Sequence, residues 1–407
     1  MSVNYETKVD ITTNDIGRLS YFDLGLIPLV NNLNETEEES LKCEKYPLSI
    51  SLFEKSGLTR LDYIVPSEVL FSNYLYTSGV NKPFYNHCSD MFVFLNKYLD
   101  LTGDDLIVDI GGNDGTLLRA FKERAGLNLQ VLNIEPSSVF KLSESNGIKT
   151  INKYFSREVV EEVNKKAKLV ITTNVFQHLY DIKSFGENVR ELLDDQGIWC
   201  IEFPYWFHTM ETLQFDQIYH EHIYYYTLNS IKKFLNSIGL KVFHAVKQSI
   251  HSGSLRLLVT KSESKFEIED SVQVIMTEEK KIDLKYYKDW NEKVLKHKIV
   301  CKEIIDILCS KYNVVGFGAS AKGCVFLNFI NIKNDTIKFI IDDTPLKKNK
   351  YVPGTGIKIV DRILLKKEKV DYVLILAHNF HEYIIKSLKE YGYQGKFIIL
   401  LPEIKIL

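Results

Sequence analysis

Residues 218–227 read IYHEHIYYYT, and the eight positions from Tyr219 to Tyr226 hold two histidines, a carboxylate and four tyrosines. Such side chains carry protons, and a histidine titrates near working pH, so one chemistry this run could do is general acid–base catalysis. An aromatic edge strand with its polar tips in water fits the same letters. In an extended run, Tyr219, Glu221 and Ile223 would face one side and His220, His222 and Tyr224 the other. A single site drawing on both sets therefore needs a loop or a bulge. Tyr224 to Tyr226 read as packing.

Two glycine-rich turns lie on either side of this cluster. The first, Asp109-Ile110-Gly111-Gly112-Asn113-Asp114-Gly115, follows the apolar run LIVDI and opens TLLRAFKER. Its glycines allow a tight turn and close approach of a ligand. Glu135 ends the next apolar run, at the separation expected of an acid that holds ribose hydroxyls. The turn is not G-x-G-x-x-G; it fits the looser acid-x-G-x-G-x-G turn of S-adenosylmethionine enzymes, with Asn113 at the middle glycine. An acid at the strand end suits a cationic, phosphate-free cofactor better than a pyrophosphate. The second turn, Gly316-Phe317-Gly318-Ala319-Ser320-Ala321-Lys322-Gly323, has Ala321 at the third glycine and Asp342 or Asp343 at the ribose distance, an acceptable NAD-type site. Lys322 at a helix start also suits a phosphate.

The elements that position these turns alternate. Strands are expected at 106–110, 128–137, 168–176 and 197–205, with helical stretches between, which is the pattern of a doubly wound α/β domain. A helix is expected over about 85–101, with Met91, Phe94, Leu95 and Tyr98 on one face. The Lys- and Glu-rich stretch 275–310 reads as a solvated connecting helix. Beyond it, strands at 337–345, 371–379 and 396–402 follow the second turn as another α/β unit. Before residue 85, DLGLIPLV and YPLSISLF suggest a small irregular module.

With 51 basic and 53 acidic residues, net charge −2, the chain has no field that would hold nucleic acid or an anionic membrane. Its six cysteines include no CxxC pair, which argues against a thiolate zinc knuckle or a disulfide framework. The start MSVNYETKVDITTND is not a signal peptide and no apolar run reaches membrane-span length, so a cytoplasmic protein is expected.

The segments VDIGGNDGTLL, NIEPSS, TTNVFQHLYD, IEFPYWFHTMETLQFDQIYHEHIYYYT, HSGSLRLLV and VGFGASAKGCVFLN, in this order, resemble the sugar C-methyltransferases that act on nucleotide-linked 4-keto-deoxysugars. The resemblance implies an N-terminal module (1–87), a central Rossmann-like domain binding S-adenosylmethionine (88–270) and a C-terminal Rossmann-like domain (271–407) that helps hold the nucleotide sugar. It implies a base that removes the proton next to the C4 ketone, the resulting enolate attacking the sulfonium methyl, with C3 the expected acceptor. By resemblance His222 is the base, with Glu221 and Tyr219 beside it. His178 and Asn174 line the same cleft, and Tyr74 and Tyr76 come from a tyrosine motif near it. Asp109, Gly111, Gly112, Asn113, Gly115, Glu135 and Asn174 would hold the cofactor. Ser254, Arg256, Gly316, Gly318, Ser320 and Lys322 would hold the substrate. Structural readings stand beside these: core packing for either tyrosine, a histidine satisfied by its neighbours for His178, a strand-edge arginine for Arg256.

The sequence departs from the family in places. The family module carries two CxxC pairs, whereas Phe53 and Ser56 stand where the second pair would fall and no cysteine precedes DLG, so no zinc is expected. Ser252 replaces a glycine and His378 a tryptophan. Rival readings are an O- or N-methyltransferase, an NAD-dependent sugar oxidoreductase using the second turn, and an inactive nucleotide-sugar-binding relic.

Overall fold

A computed structural model describes residues 9–10, 12–13, 16–70, 82–126, 128–250 and 253–407, in three sheets. The central sheet has seven strands in the order 240–248, 254–261, 193–204, 167–173, 106–110, 130–134, 150–151. The five from 193–204 to 150–151 run parallel; the other two are antiparallel. Leu106–Ile110 is buried at every position, as a strand covered on both faces must be. The chain moves outward from this strand to 130–134 and 150–151, then returns to 167–173 on its other side. That reversal opens a crevice at the carboxyl ends of 106–110 and 167–173, where α/β sheets bind ligands.

The C-terminal sheet repeats the plan in the order 358–360, 339–341, 314–317, 372–375, 396–399, 405–406, parallel except for the last strand. Its reversal falls between 314–317 and 372–375, beside the second glycine-rich turn. Most expected strands are present but shorter, for example Gln130–Ile134 within 128–137. The strand expected at 197–205 instead starts earlier, at Leu193.

The N-terminal sheet pairs Arg18–Pro28 with Lys45–Phe53 and then Leu58–Leu61. Its fourth strand is Tyr224–Tyr225, with Thr59 opposite Tyr225 and Arg60 opposite Tyr224. The tyrosine run after the histidines is thus built into the N-terminal sheet, and Tyr224, Tyr225 and Tyr226 are all buried. No cysteine pair holds this module. Asp62 instead accepts from Ser49 Oγ and Ser51 Oγ, each at 2.6 Å, and faces Arg18 at 3.2 Å. Arg60 lies over the Phe53 ring at 5.0 Å. Among the described residues, no group of three or more His, Cys, Asp or Glu is placed to hold a metal ion, and no helix is long and apolar enough to cross a membrane.

The charged stretch 275–310 is more than a solvated connector. Helix Leu284–Cys309 buries Tyr287, Trp290, Val294, Cys301, Ile305 and Leu308. These recur at three-, four- and seven-residue steps along one face. Tyr287 meets Tyr21 at 4.7 Å between ring centroids, and Trp290 meets Phe22 at 4.9 Å, so the helix backs the N-terminal sheet. The many Lys and Glu between these positions conceal the stripe in the sequence.

Candidate active site

The first glycine-rich turn is shaped by what its neighbours leave no room for. Gly111 has φ +72°, and a Cβ there would lie 2.6 Å from Val175 Cγ2. A Cβ on Gly112 would lie 2.4 Å from Asn133 Oδ1 and 2.5 Å from Asp109 Oδ2. Asn113 takes φ +51°, a value Asn tolerates better than most residues. Glu135 accepts from Asn113 N (3.0 Å) and Ser137 N (2.8 Å), which fixes its carboxylate beside the turn and leaves acceptor capacity on both oxygens. Gly115 precedes helix Thr116–Ala125.

Asp109 is 1% exposed, and neither carboxylate oxygen has a hydrogen-bond partner among the described residues. Burial, and after it the Glu135 carboxylate, pushes its pKa up to about 8. An unpaired buried carboxylate resists ionisation until a cation or a donor arrives. The glycine turn with this orphaned acid beside it fits a cofactor that carries positive charge and no phosphate.

Across the crevice, strand Ala167–Thr173 ends at Asn174, which has φ +55° and donates its N–H to the Glu202 carbonyl at 2.8 Å. Val175, packed on Gly111, leads into the short helix Phe176–His178. The His178 ring thereby reaches the histidine–tyrosine run. Its Nδ1 is 2.6 Å from the Glu221 carbonyl, and its ring centroid is 4.9 Å from that of His222. A carbonyl only accepts, so Nδ1 carries the hydrogen. Burial lowers the His178 pKa to about 4, against the backbone hydrogen bonds that favour its charge, so the ring is neutral at pH 7.

IYHEHI is not extended. His222 N donates to the Tyr219 carbonyl at 2.9 Å, closing a turn over Tyr219–His222. Side chains that a strand would set on opposite faces now meet: Tyr219 Oη lies 2.8 Å from His222 Nε2, with ring centroids 4.0 Å apart. His222 Nδ1 gives its hydrogen to the Gln217 carbonyl at 2.9 Å. That leaves Nε2 as the basic nitrogen, with the Tyr219 hydroxyl donating to it. Glu221 takes a different direction. Its backbone carbonyl serves His178, while its carboxyl accepts from Asn31 Nδ2 at 2.6 Å. Burial raises the Glu221 pKa to about 7, partly countered by Asn31. His220 is buried at 1% exposure near Tyr46, away from this pair, and burial lowers its pKa to about 4.

The expected substrate residues occupy two other places. Arg256 is buried on strand Ser254–Lys261, its Nε 2.8 Å from Glu202 Oε2 and its Nη2 3.0 Å from His87 Nε2. Glu202 also meets His87 at 2.7 Å, and despite burial these two partners hold its carboxyl below the usual range. This enclosed pairing favours the strand role of Arg256 over a phosphate contact. Ser254 is likewise buried, donating to the Ile250 carbonyl at 3.2 Å.

At the second turn, Gly318 has φ +90° and Ser320 caps helix Ala321–Phe329 by accepting from Gly323 N at 3.0 Å. Gly316 lies on the preceding strand, where a Cβ would meet Ile340 Cγ1 at 2.7 Å. Half-buried Lys322 has its pKa lowered to about 8 by burial, against the pull of Asp216. Asp216 is fully buried, and burial raises its pKa to about 6 even though Lys322 lowers it. His378 Nδ1 is 3.2 Å from Asp216 Oδ2. Tyr74, Tyr76, His251 and Ser252 lie outside the described residues.

Sequence reasoning did not find Asn31, the carbonyls of Gln217 and Glu221, or Asp216. Backbone carbonyls leave no letter in a sequence, and Asn31 is 190 positions from its partner.

Residues 89–245 match the model of a methyltransferase domain and residues 249–402 that of the C-methyltransferase C-terminal domain. C-methyltransferase NovU of Streptomyces niveus is 27% identical over 398 residues, covering 96% of this chain and 94% of NovU. Among solved structures, an S-adenosylmethionine-dependent methyltransferase from Clostridium acetobutylicum shares 12% identity over 48% of this chain and 95% of that one, with a TM-score of 0.36. Magnesium protoporphyrin IX methyltransferase from Synechocystis PCC 6803, with bound S-adenosylmethionine, shares 15% over 44% and 79%, with a TM-score of 0.34.

Proposed function

This chain belongs to the C-methyltransferase family and is an S-adenosylmethionine-dependent methyltransferase, and we propose that its acceptor is a nucleotide-linked 4-keto-deoxysugar, methylated at C3 beside the ketone. The observation that carries this reading is the Tyr219–His222 pair, a phenol donating to a basic imidazole nitrogen, set in a turn that adjoins His178. A sugar carbon becomes a nucleophile only when a base removes a proton alpha to a carbonyl, and this pair is such a base. S-adenosylmethionine, when bound, supplies the electrophilic methyl group.

The chain's own residues then divide the work. Asp109, Gly111, Gly112, Asn113, Gly115, Glu135 and Asn174 bind the cofactor at the crevice of the central sheet. The proton leaving the sugar carbon passes through the Tyr219 hydroxyl to His222 Nε2, while the Gln217 carbonyl keeps the ring in the tautomer that can accept it. The Glu221 carboxyl, which can hold a proton at neutral pH, is the donor we assign to the oxygen that gains charge, while neutral His178, its one hydrogen on Nδ1 and given to the Glu221 carbonyl, has Nε2 as an acceptor. Lys322, half-buried at a helix start beside Ser320, is assigned to the nucleotide diphosphate.

The nicotinamide reading of the second turn has less support. Ala319 N, which a pyrophosphate would take, donates to Asp342 Oδ2 at 2.8 Å, and Lys347 lies across the same carboxylate.

The test is mass spectrometry of reactions with S-adenosylmethionine and a panel of nucleotide-linked 4-keto-deoxysugars in deuterated water. Gain of one methyl, with alpha-proton exchange that His222→Asn abolishes, is the expected result. Firm cofactor binding with methyl transfer only to hydroxyl or amine acceptors would replace this reading by O- or N-methylation.

A further inference from the structure

We propose that Asn31 is a positioning residue of the reaction site, through which the N-terminal sheet holds Glu221 and the turn carrying Tyr219 and His222. The inference rests on the methyltransferase reading above for its kinetic part. Asn31 lies just beyond strand Arg18–Pro28, in a turn closed by Asn32 N donating to the Leu29 carbonyl at 3.2 Å. Its backbone belongs to the N-terminal module, yet its side-chain amide donates to Glu221 Oε1 at 2.6 Å. Asn31 itself is exposed, while Glu221 is 8% exposed, so a surface residue reaches down to a buried acid.

The residues after Glu221 are tied to the same module. Leu61 N donates to the Ile223 carbonyl at 2.9 Å and Tyr224–Tyr225 pairs with Arg60 and Thr59, while Ile223 N donates at 2.8 Å to the Gln177 carbonyl of the short helix that carries His178. The N-terminal sheet thus fixes the exit of the turn by backbone bonds and the turn itself by Asn31. Displacing Glu221 would also move its carbonyl, which holds the hydrogen on His178 Nδ1.

The amide also sets where Glu221 keeps its proton. Asn31 presents N–H groups to Oε1, so Oε1 accepts and the proton of a neutral Glu221 falls on Oε2. The groups around the carboxyl are His220 and His222 on either side in the turn, His178 on the Glu221 carbonyl and Asn31. Among the described residues no charged side chain sets its acidity: burial raises it and the Asn31 hydrogen bond opposes that. Loss of the bond therefore makes Glu221 harder to ionise.

The test compares full-length wild type with Asn31→Ala, Asn31→Asp and Asn31→Gln. First, the Glu221 carboxyl is titrated by carbon-13 NMR of glutamate-labelled protein, assigned with Glu221→Gln. Asn31→Ala should move the titration to higher pH and Asn31→Asp further, with Asn31→Gln between Ala and wild type. A Glu221 titration unmoved in Asn31→Ala overturns the proposal whether or not the protein methylates a keto sugar. Second, kcat for methyl transfer should fall about tenfold in Asn31→Ala, within the range for losing one hydrogen bond that positions the site. The KM for S-adenosylmethionine should stay unchanged, and the Glu221-dependent limb of the pH profile should move up. A loss of rate with an unmoved profile and a lowered melting temperature would mean a merely structural contact and also refute the proposal. Absence of methyl transfer by wild type, with the NMR shift present, would count against the substrate reading and leave the Asn31 assignment supported.

Discussion

Asp109 gives the sharpest prediction about cofactor binding. Its carboxyl is buried without a hydrogen-bond partner among the described residues, with a pKa pushed up to about 8, so at pH 7 about nine in ten molecules keep the proton. If a cationic cofactor binds only over the ionised acid, affinity follows the ionised fraction. That fraction is about 1% at pH 6 and about half at pH 8, so affinity for S-adenosylmethionine should rise about fiftyfold between them. At pH 7 each binding event should release about 0.9 proton, apart from any released by the ligand. Calorimetry in buffers of different ionisation enthalpy measures both quantities. Asp109→Asn is the control: it removes the protein's share of the pH dependence and leaves only the titration of the ligand. An affinity curve for wild type that overlays the Asp109→Asn curve in shape, with no extra proton release, would refute the assignment of Asp109 to the cofactor's charge.

Three further outcomes are expected. Tyr219→Phe keeps the ring but removes the hydroxyl that donates to His222 Nε2, and alpha-proton exchange in deuterated water should slow by roughly a hundredfold or more with cofactor affinity unchanged. Gly111→Ala forces an L-residue to φ +72° and a Cβ against Val175, so calorimetry should show loss of cofactor binding and denaturant melts a cost of about 1–3 kcal/mol. Glu221 has its folded pKa raised to about 7, so the native state holds a proton that the unfolded chain has lost, and stability should fall as pH rises from about 4.5 to 7. The contribution is about 3 kcal/mol, and urea melts of Glu221→Gln should show a correspondingly flatter dependence on pH.

The fold was readable where a pattern is local. LIVDI followed by GGNDG is a buried strand with its turn, and alternation with helices makes the sheet parallel, because a crossover helix is what returns the chain in the same direction. The types of the reacting groups were readable as well, since a histidine or a carboxyl keeps its chemistry wherever it lies. The Lys- and Glu-rich stretch 275–310 was harder to read, because charged residues between Tyr287, Trp290 and Val294 conceal a stripe that only packing against Tyr21 and Phe22 reveals.

What the sequence by itself determined is thus the architecture of strands and turns and the identity of the proton carriers in IYHEHIYYYT. What only the tertiary structure decided is which of them meet. A strand would have kept Tyr219 and His222 on opposite faces; a turn closed by one backbone hydrogen bond brings them together. The tautomer of His222 depends on the Gln217 carbonyl, and the state of Glu221 depends on Asn31, 190 positions away. Hydrogen-bond geometry and desolvation act through space, so the same letters have different acidities in different surroundings, and those surroundings exist only once the sheets have packed.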